Sequence, residues 1–498
     1  MGTFDLLLQG LASALQPDHL MFALIGCIIG TLVGVLPGVG PVAGTAILVP
    51  VTFSMDPTSA IIMLAGIYYG AMYGGTITSV LVNVPGEAAS AITCLDGYAM
   101  AKQGRAGPAL AVAAIGSFVG GTIATLALVM LAMPLTRLAL SFGPPEFFAL
   151  MMIGLALVAV LAGRSMVLGL ISAIFGLLVS LVGIDPVMGG TRFTFGTTAL
   201  LGGISIVPVA MGLFGVSEIL DGMWSSRKPE STERVMGLMP SRSDIKRSTP
   251  SVLRGSVIGT LMGLIPGMNA FVPTVMSYVL ERRVSRTPDQ FGKGMIEGVA
   301  GPETANNAYA NAALIPLFTL GVPGSPTIAV LMGAFLMNGL TPGPLLFVEH
   351  ADVAWTIIAS LFVGNVILVI LNVPLIPLWV SLLRVPRFIL NATILALCVL
   401  GVYTVNNSAF DILLMAFFGL LGVAMKRLGI PAAPMILTVV LGPLLEQSLR
   451  QSLEISQGDA LIFFTRPIAT TLLGVACLIF FSSVLSVVRN LKGTDAEV

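Results

Sequence analysis

The chain reads as an all-α polytopic membrane protein made of two inverted-topology repeats, and three observations carry that reading. Hydrophobic residues make up 56% of the 498 positions and charged residues only 10%, against about 25% charged in a soluble domain. Apolar runs of roughly 20 residues, the length that spans a bilayer, recur from Met21 to Val488 with short polar gaps. Counting broken runs as spans gives about a dozen membrane segments. Finally, Ile29-Gly-Thr-Leu-Val-Gly-Val-Leu-Pro-Gly38 returns 229 positions later as Ile258-Gly-Thr-Leu-Met-Gly-Leu-Ile-Pro-Gly267, identical at seven of ten positions.

Composition also excludes function classes. Lys+Arg and Asp+Glu both number 24, so net charge argues for no nucleic-acid partner. No Lys or Arg precedes Lys102, so the N-terminal stretch lacks the basic region of a cleaved signal peptide. Cys27, Cys94, Cys398 and Cys477 lie scattered in apolar segments without metal-site spacing, and read as buried, inert thiols. His19 and His350 are the only histidines, which leaves no material for a zinc site or a histidine triad. No nucleophile–base pair is evident either, so the chain is not expected to be an enzyme or to hold a resident cofactor or metal.

Charge sets the organisation. Residues 222–254 hold seven basic residues (Arg227, Lys228, Arg234, Arg242, Lys246, Arg247 and Arg254) against three acids (Glu230, Glu233 and Asp244), the mark of a cytoplasmic loop. The stretch 281–293 is also basic. Two cytoplasmic flanks around one apolar stretch predict a re-entrant hairpin over 252–280, turning at Pro266-Gly267. Its counterpart, hairpin 21–54 turning at Pro37-Gly38, is flanked only by Asp5, Asp18 and Asp56, so its ends belong outside. A second break follows each hairpin: Asn83-Val-Pro-Gly86 in a broken helix over 59–101, and Gly321-Val-Pro-Gly324 in one over 303–338. Repeat 1 then covers 1–221, a cytoplasmic linker 222–254, repeat 2 255–488 and a cytoplasmic tail 489–498.

Paired interruptions in corresponding halves are the best sequence pointer to a transporter's substrate site. Broken backbone cannot face lipid, so it must be buried or line a cavity. Helix restarts after the breaks offer free N–H groups and a positive dipole end, which suit anions. Ser325 before Pro326 and Thr327, Pro41 after Gly38 and Gly40, and Asn269 after Gly267 supply such starts. The substrate-binding set expected is Gly38, Gly40, Pro41, Asn83, Pro85, Gly86, Gly267, Asn269, Pro323, Gly324, Ser325 and Thr327. Neutral oxygens for a coupling ion are expected at Thr76, Ser79, Asn83, Asn306, Asn307 and Asn311, with transported Na+ favoured. A trianion needs roughly four cations to enter with the membrane potential. Glu87 reads as an acid at a helix start or as an ion ligand, Glu297 and Glu303 as solvated acids at the cytoplasmic edge. Arg137, Arg164 and Arg192 read as snorkelling anchors.

These motifs carry a family resemblance. Gly34-Val-Leu-Pro-Gly-Val-Gly-Pro41, Asn83-Val-Pro-Gly86, Gly263-Leu-Ile-Pro-Gly-Met-Asn269 and Gly321-Val-Pro-Gly-Ser-Pro326, in this order, resemble the large membrane subunit (TctA) of tripartite tricarboxylate transporters, over essentially the whole chain. The resemblance implies a multi-pass carrier of the bacterial inner (cytoplasmic) membrane. It would work with a small membrane subunit of the TctB type and a periplasmic solute-binding protein of the TctC type. It implies import of citrate or related di- and tricarboxylates, driven by an ion gradient. The two inverted halves are themselves expected to work by alternating access, an elevator-like transport part of hairpins and broken helices moving against a scaffold. The complex is open to homodimerisation. An anion channel and a proton-coupled carboxylate carrier stay open as alternatives.

Overall fold

The computed structural model describes residues 2–36, 40–160, 165–185, 189–224, 237, 239–382 and 387–494. Pro37 and Gly38 of the first hairpin turn, Arg164, the linker residues 225–236 and the end of the tail lie outside this set. The chain is almost wholly helical. Its first half runs through α1 (Thr3–Ala14), α2 (Pro17–Val35), α3 (Gly40–Leu48), α4 (Pro57–Val82), α5 (Ala99–Lys102), α6 (Ala106–Ala139), α7 (Pro144–Val160), α8 (Met166–Ser180), α9 (Ile206–Ala210) and α10 (Ser217–Trp224). The second half opens with α11 (Arg242–Gly263), α12 (Phe271–Val284), α13 (Glu297–Ala312), α14 (Leu314–Leu320), α15 (Pro326–Met337), α16 (Pro344–Glu349) and α17 (Ala351–Asn372). It closes with α18 (Ile376–Leu382), α19 (Arg387–Asn406), α20 (Ala409–Arg427), α21 (Ala432–Ile455), α22 (Ile462–Thr465) and α23 (Pro467–Thr494). One small departure from an all-α fold is an antiparallel pair, β1 (Gly183–Ile184) with β2 (Thr191–Arg192).

Among the described residues, seven helices are long and apolar enough to cross a membrane: α2, α4, α6, α17, α19, α20 and α21. Five shorter apolar helical segments accompany them, at α3, α7, α8, α15 and α23. Leu413, Leu420 and Phe481 point large apolar side chains outward, as surfaces facing acyl chains do. α4 is the opposite case, buried along its whole length from Thr58 to Val82.

What the sequence repeat encodes locally is close helix contact. Gly26, Gly30 and Gly34 fall on one face of α2 at four-residue spacing. A Cβ on any of them would strike the carbonyl oxygen of Met63, Ile67 or Ala71 on α4. The contact is mutual, since a Cβ at Gly70 would lie 2.6 Å from the Thr31 nitrogen. Gly255, Gly259 and Gly263 of α11 meet α13 in the same manner, against Gly301, Ala305 and Tyr309. The two stripes are offset by 229 positions (255 − 26), as the motif is. Small residues at such spacing let membrane helices pack backbone to backbone.

The second breaks also share a geometry. α4 ends at Asn83 (φ 56°, ψ 30°) and α14 at Gly321 (φ 69°, ψ 26°), both left-handed caps before Val-Pro-Gly. Asn tolerates that conformation and Gly adopts it freely. Beyond Asn83 the chain turns through Ala89–Ala91 and a π-type turn, Cys94–Tyr98, before α5. Asp96 anchors that turn. Its buried carboxylate accepts from the Tyr278 hydroxyl (2.9 Å) and from the backbone N–H groups of Gly292, Gly294 (2.8 Å) and Met295 (2.7 Å). This ties the end of the first broken helix to the loop that starts α13.

Candidate functional site

The breaks are not scattered. Gly267, at the tip between α11 and α12, donates its N–H to the carbonyl oxygen of Gly324 (3.0 Å). Tyr309 of α13 reaches the same two segments, donating its hydroxyl to Met268 O and, at 3.3 Å, to Gly324 O. In the first half, Gly86 is pressed against α2 and α4. A Cβ there would strike the Gly34 carbonyl and lie 2.6 Å from Gly75 Cα. In each half the second break therefore touches the segment that carries the repeated motif.

Between these contacts lies a buried polar layer formed by side chains from both halves. Glu303 of α13 accepts hydroxyls from Thr76 on α4 (Oε2, 2.6 Å) and from Thr93 (Oε1). Asn306, one turn further along α13, donates Nδ2 to Glu87 Oε1 (2.7 Å). Ser90 joins Glu87 to α4, donating to Glu87 O and accepting from Ser79, both at 2.9 Å. Gly75 makes room for this: a Cβ there would come 3.0 Å from Glu87 Cγ. Glu87 is 8% exposed and Glu303 1%. Among the described residues, neither forms an ion pair with a Lys, Arg or His. Removing a charge from water without a counter-charge costs several kcal/mol even after relaxation.

A second polar run follows the same face of α13 toward α6 and α17. Asn307 donates to Ser117 Oγ (2.7 Å), and Asn311 to the Asn307 carbonyl (2.9 Å), while Thr125 donates to Asn311 Oδ1 (2.9 Å). Asn365 of α17 faces Gly121 beside them, fully buried, with neither amide atom hydrogen bonded among the described residues. A cavity lined by Tyr73, Thr76, Ser117 and Asn372 opens between α4 and α6.

The expected site residues fall into three groups. Thr76, Ser79 and Asn306 join the carboxylate layer, and Asn307 and Asn311 form its continuation. Gly267, Pro323, Gly324, Ser325 and Thr327 gather at the second-half breaks. There Ser325 Oγ accepts from Ile328 N (3.3 Å), with Pro326 at the first helical position. Asn269 Oδ1 accepts from Phe271 N (3.0 Å) at an exposed position. Gly40 (φ 64°) and Pro41 open α3, and a Cβ at Gly40 would meet nothing within 4 Å. Asn83 and Pro85 are exposed at the end of α4, apart from the hydrogen-bonded layer. Gly38 lies outside the described residues.

Two expectations need correction. Glu303 is not a solvated acid at the cytoplasmic edge; it sits on the buried face of α13, where each of its oxygens accepts a threonine hydroxyl. Arg192 is not a snorkelling anchor. It pairs with Glu446 through Nη1 (2.6 Å) and Nη2 (3.2 Å), inside a cluster completed by Asp185 and Arg450. Glu297 meets Arg247 (2.8 Å) at a partly exposed position. The residues missed altogether are Thr93, Ser90, Ser117, Tyr309 and Asn365. Spacing did carry a signal for Glu303, since 303, 306, 307 and 311 share one helical face.

A buried polar layer crossing a bundle of apolar helices, bordered by interrupted backbone, is the architecture of a polytopic membrane transporter. The chain belongs to the Tripartite tricarboxylate transporter TctA family, whose pattern matches residues 20–437. A protein of Agrobacterium vitis described as "Uncharacterized 52.8 kDa protein in TAR-I ttuC' 3'region" is 46% identical over 473 residues, 94% of each chain. A second from that organism, "Uncharacterized protein in TAR-II ttuC' 3'region", is 44% identical over 232 residues, 47% of this chain and 96% of its own. No solved structure matches.

Proposed function

We propose that this protein is the large membrane subunit of a binding-protein-dependent secondary carrier that imports di- or tricarboxylates, or related organic anions, using a cation gradient. The hydrogen bond from Gly267 to Gly324 carries the reading. It brings two interrupted segments into one buried place, where helix starts such as that capped by Ser325 present N–H groups suited to a carboxylate. Glu87 and Glu303 supply the reason for coupling. An anion entering beside two buried carboxylates is repelled unless cations enter with it, so each species favours the other's binding. Sodium is the cation we favour, because the layer is rich in neutral oxygens.

Alternating access would follow from two inverted halves, the hairpins and broken helices moving against the remaining spans. A TctB-type membrane subunit and a periplasmic TctC-type binding protein would complete the system in a bacterial inner membrane, and family membership supports both. The test is uptake into proteoliposomes holding the complete complex, with a panel of radiolabelled carboxylates, with and without a sodium gradient. Saturable, sodium-stimulated uptake is expected. Uptake unchanged in sodium-free buffer would transfer the coupling to protons, and non-saturating flux would indicate a channel.

A further inference from the structure

We infer that Glu87 and the free amide oxygen of Asn306 form a binding site for one sodium ion between the two halves of the chain, an inference that rests on the cation-coupled reading above. The argument starts from unused lone pairs. Asn306 is fully buried and spends its Nδ2 on Glu87 Oε1 (2.7 Å), yet its Oδ1 has no hydrogen-bond partner among the described residues. A carboxylate and an unsatisfied amide oxygen thus meet about one turn of α13 from Tyr309, whose hydroxyl reaches Gly324 O. Buried acceptors without donors are costly, and adding a proton donor from the protein would not balance the charge. A hard monovalent cation satisfies both requirements, since it takes oxygen ligands and neutralises the carboxylate.

The location has a functional sense. Glu87 belongs to the first half and Asn306 to the second, so an ion between them would bridge the two halves inside the part that moves against the remaining spans. It would also stand next to the segment that we propose meets the carboxylate. Glu303 is a poorer seat, because both of its oxygens already accept threonine hydroxyls.

Binding of ²²Na+ to the purified full-length protein tests this without any carboxylate. The wild type should bind saturably and not be displaced by equal potassium. Glu87→Gln keeps the acceptor for Asn306 but not the charge, and Asn306→Ala removes the free oxygen; each should weaken binding about tenfold or more. Asn338→Ala, at the end of α15, should leave it unchanged. Should Glu87→Gln fail to fold, Asn306→Ala alone decides. Absence of saturable ²²Na+ binding in the wild type, or undiminished binding in the variants, overturns the site. So does neutralisation by a proton, seen as acid-stimulated uptake with no sodium bound. Sodium bound without any carboxylate uptake would instead overturn the carrier reading and leave the site standing.

Discussion

Gly267 and Gly324 are 57 residues apart in sequence (324 − 267) and joined by a 3.0 Å backbone hydrogen bond, so the break between α11 and α12 and the break between α14 and α15 end on each other. Neither position tolerates a side chain easily. Gly267 has φ 79°, and a Cβ on Gly324 would lie 2.8 Å from the Ala313 carbonyl oxygen. Gly324→Val should therefore separate the tips and reduce uptake at least tenfold, with protein still in the membrane; transport assays on matched expression levels read this.

The glycine stripes give a stability prediction. Gly30→Ala forces the α2 and α4 backbones apart and should cost about 1–3 kcal/mol. Gly222→Ala on α10, where a Cβ meets nothing within 4 Å, should be neutral to stabilising by about 0.5–1 kcal/mol. Thermal unfolding in detergent compares the two, and equal melting temperatures would contradict the packing account.

Thr93→Val leaves one Glu303 oxygen without its donor in a buried place. Loss of a buried hydrogen bond to a charged group costs about 1.5–3 kcal/mol. The variant should melt earlier than Thr249→Val, whose hydroxyl only bonds back to its own helix at an exposed position.

Asp244 caps the start of α11 through Ser241 and meets Arg105 at the start of α6 (2.5 Å). Burial alone pushes its carboxyl up, but the hydrogen bonds from Ser241 and Arg105 outweigh that and hold it below the ordinary value. A depressed folded-state value means stability that is present above the unfolded value, about 3.9, and lost as pH falls through the folded one. Asp244→Asn should lower the melting temperature at pH 7, and the gap to wild type should close toward pH 3. A constant gap would show that the charge is not what matters.

Asp96 holds three backbone N–H groups of the 292–295 loop. Asp96→Asn keeps the shape but replaces an acceptor oxygen with a donor facing those groups. Amide hydrogen exchange at Gly292, Gly294 and Met295 should rise, while exchange in α4 stays slow.

How much of this was legible follows the physics of each element. Hydropathy and Pro-Gly breaks are local, so the helical membrane class and the breaks after α4, α11 and α14 could be read directly. α12 takes Ala270 as its cap, with Asn269 one residue earlier accepting from Phe271 N; Ser325 as a cap before Pro326 was also local and could be named. The role of Glu303 was not. Its neighbours at 297 and 298 stand near a basic stretch, and only the tertiary approach of Thr76 and Thr93, 227 and 210 positions away (303 − 76, 303 − 93), removes it from water. Pairing of Arg192 with Glu446 is equally non-local, at 254 positions. The glycine stripes were visible as repeated letters, but what they touch depends on α4 and α13 lying alongside.

That interlocking has a mechanical corollary. Where bare α-carbons mesh with carbonyls every four residues, the paired helices behave like two racks with matched teeth. Slippage would have to jump a full tooth, about 6 Å, lifting every other tooth clear at once. Gating by sliding α2 along α4, or α11 along α13, is therefore closed to this molecule. Each couple is held as one rigid unit, so any motion within the fold must arise at its outer edges.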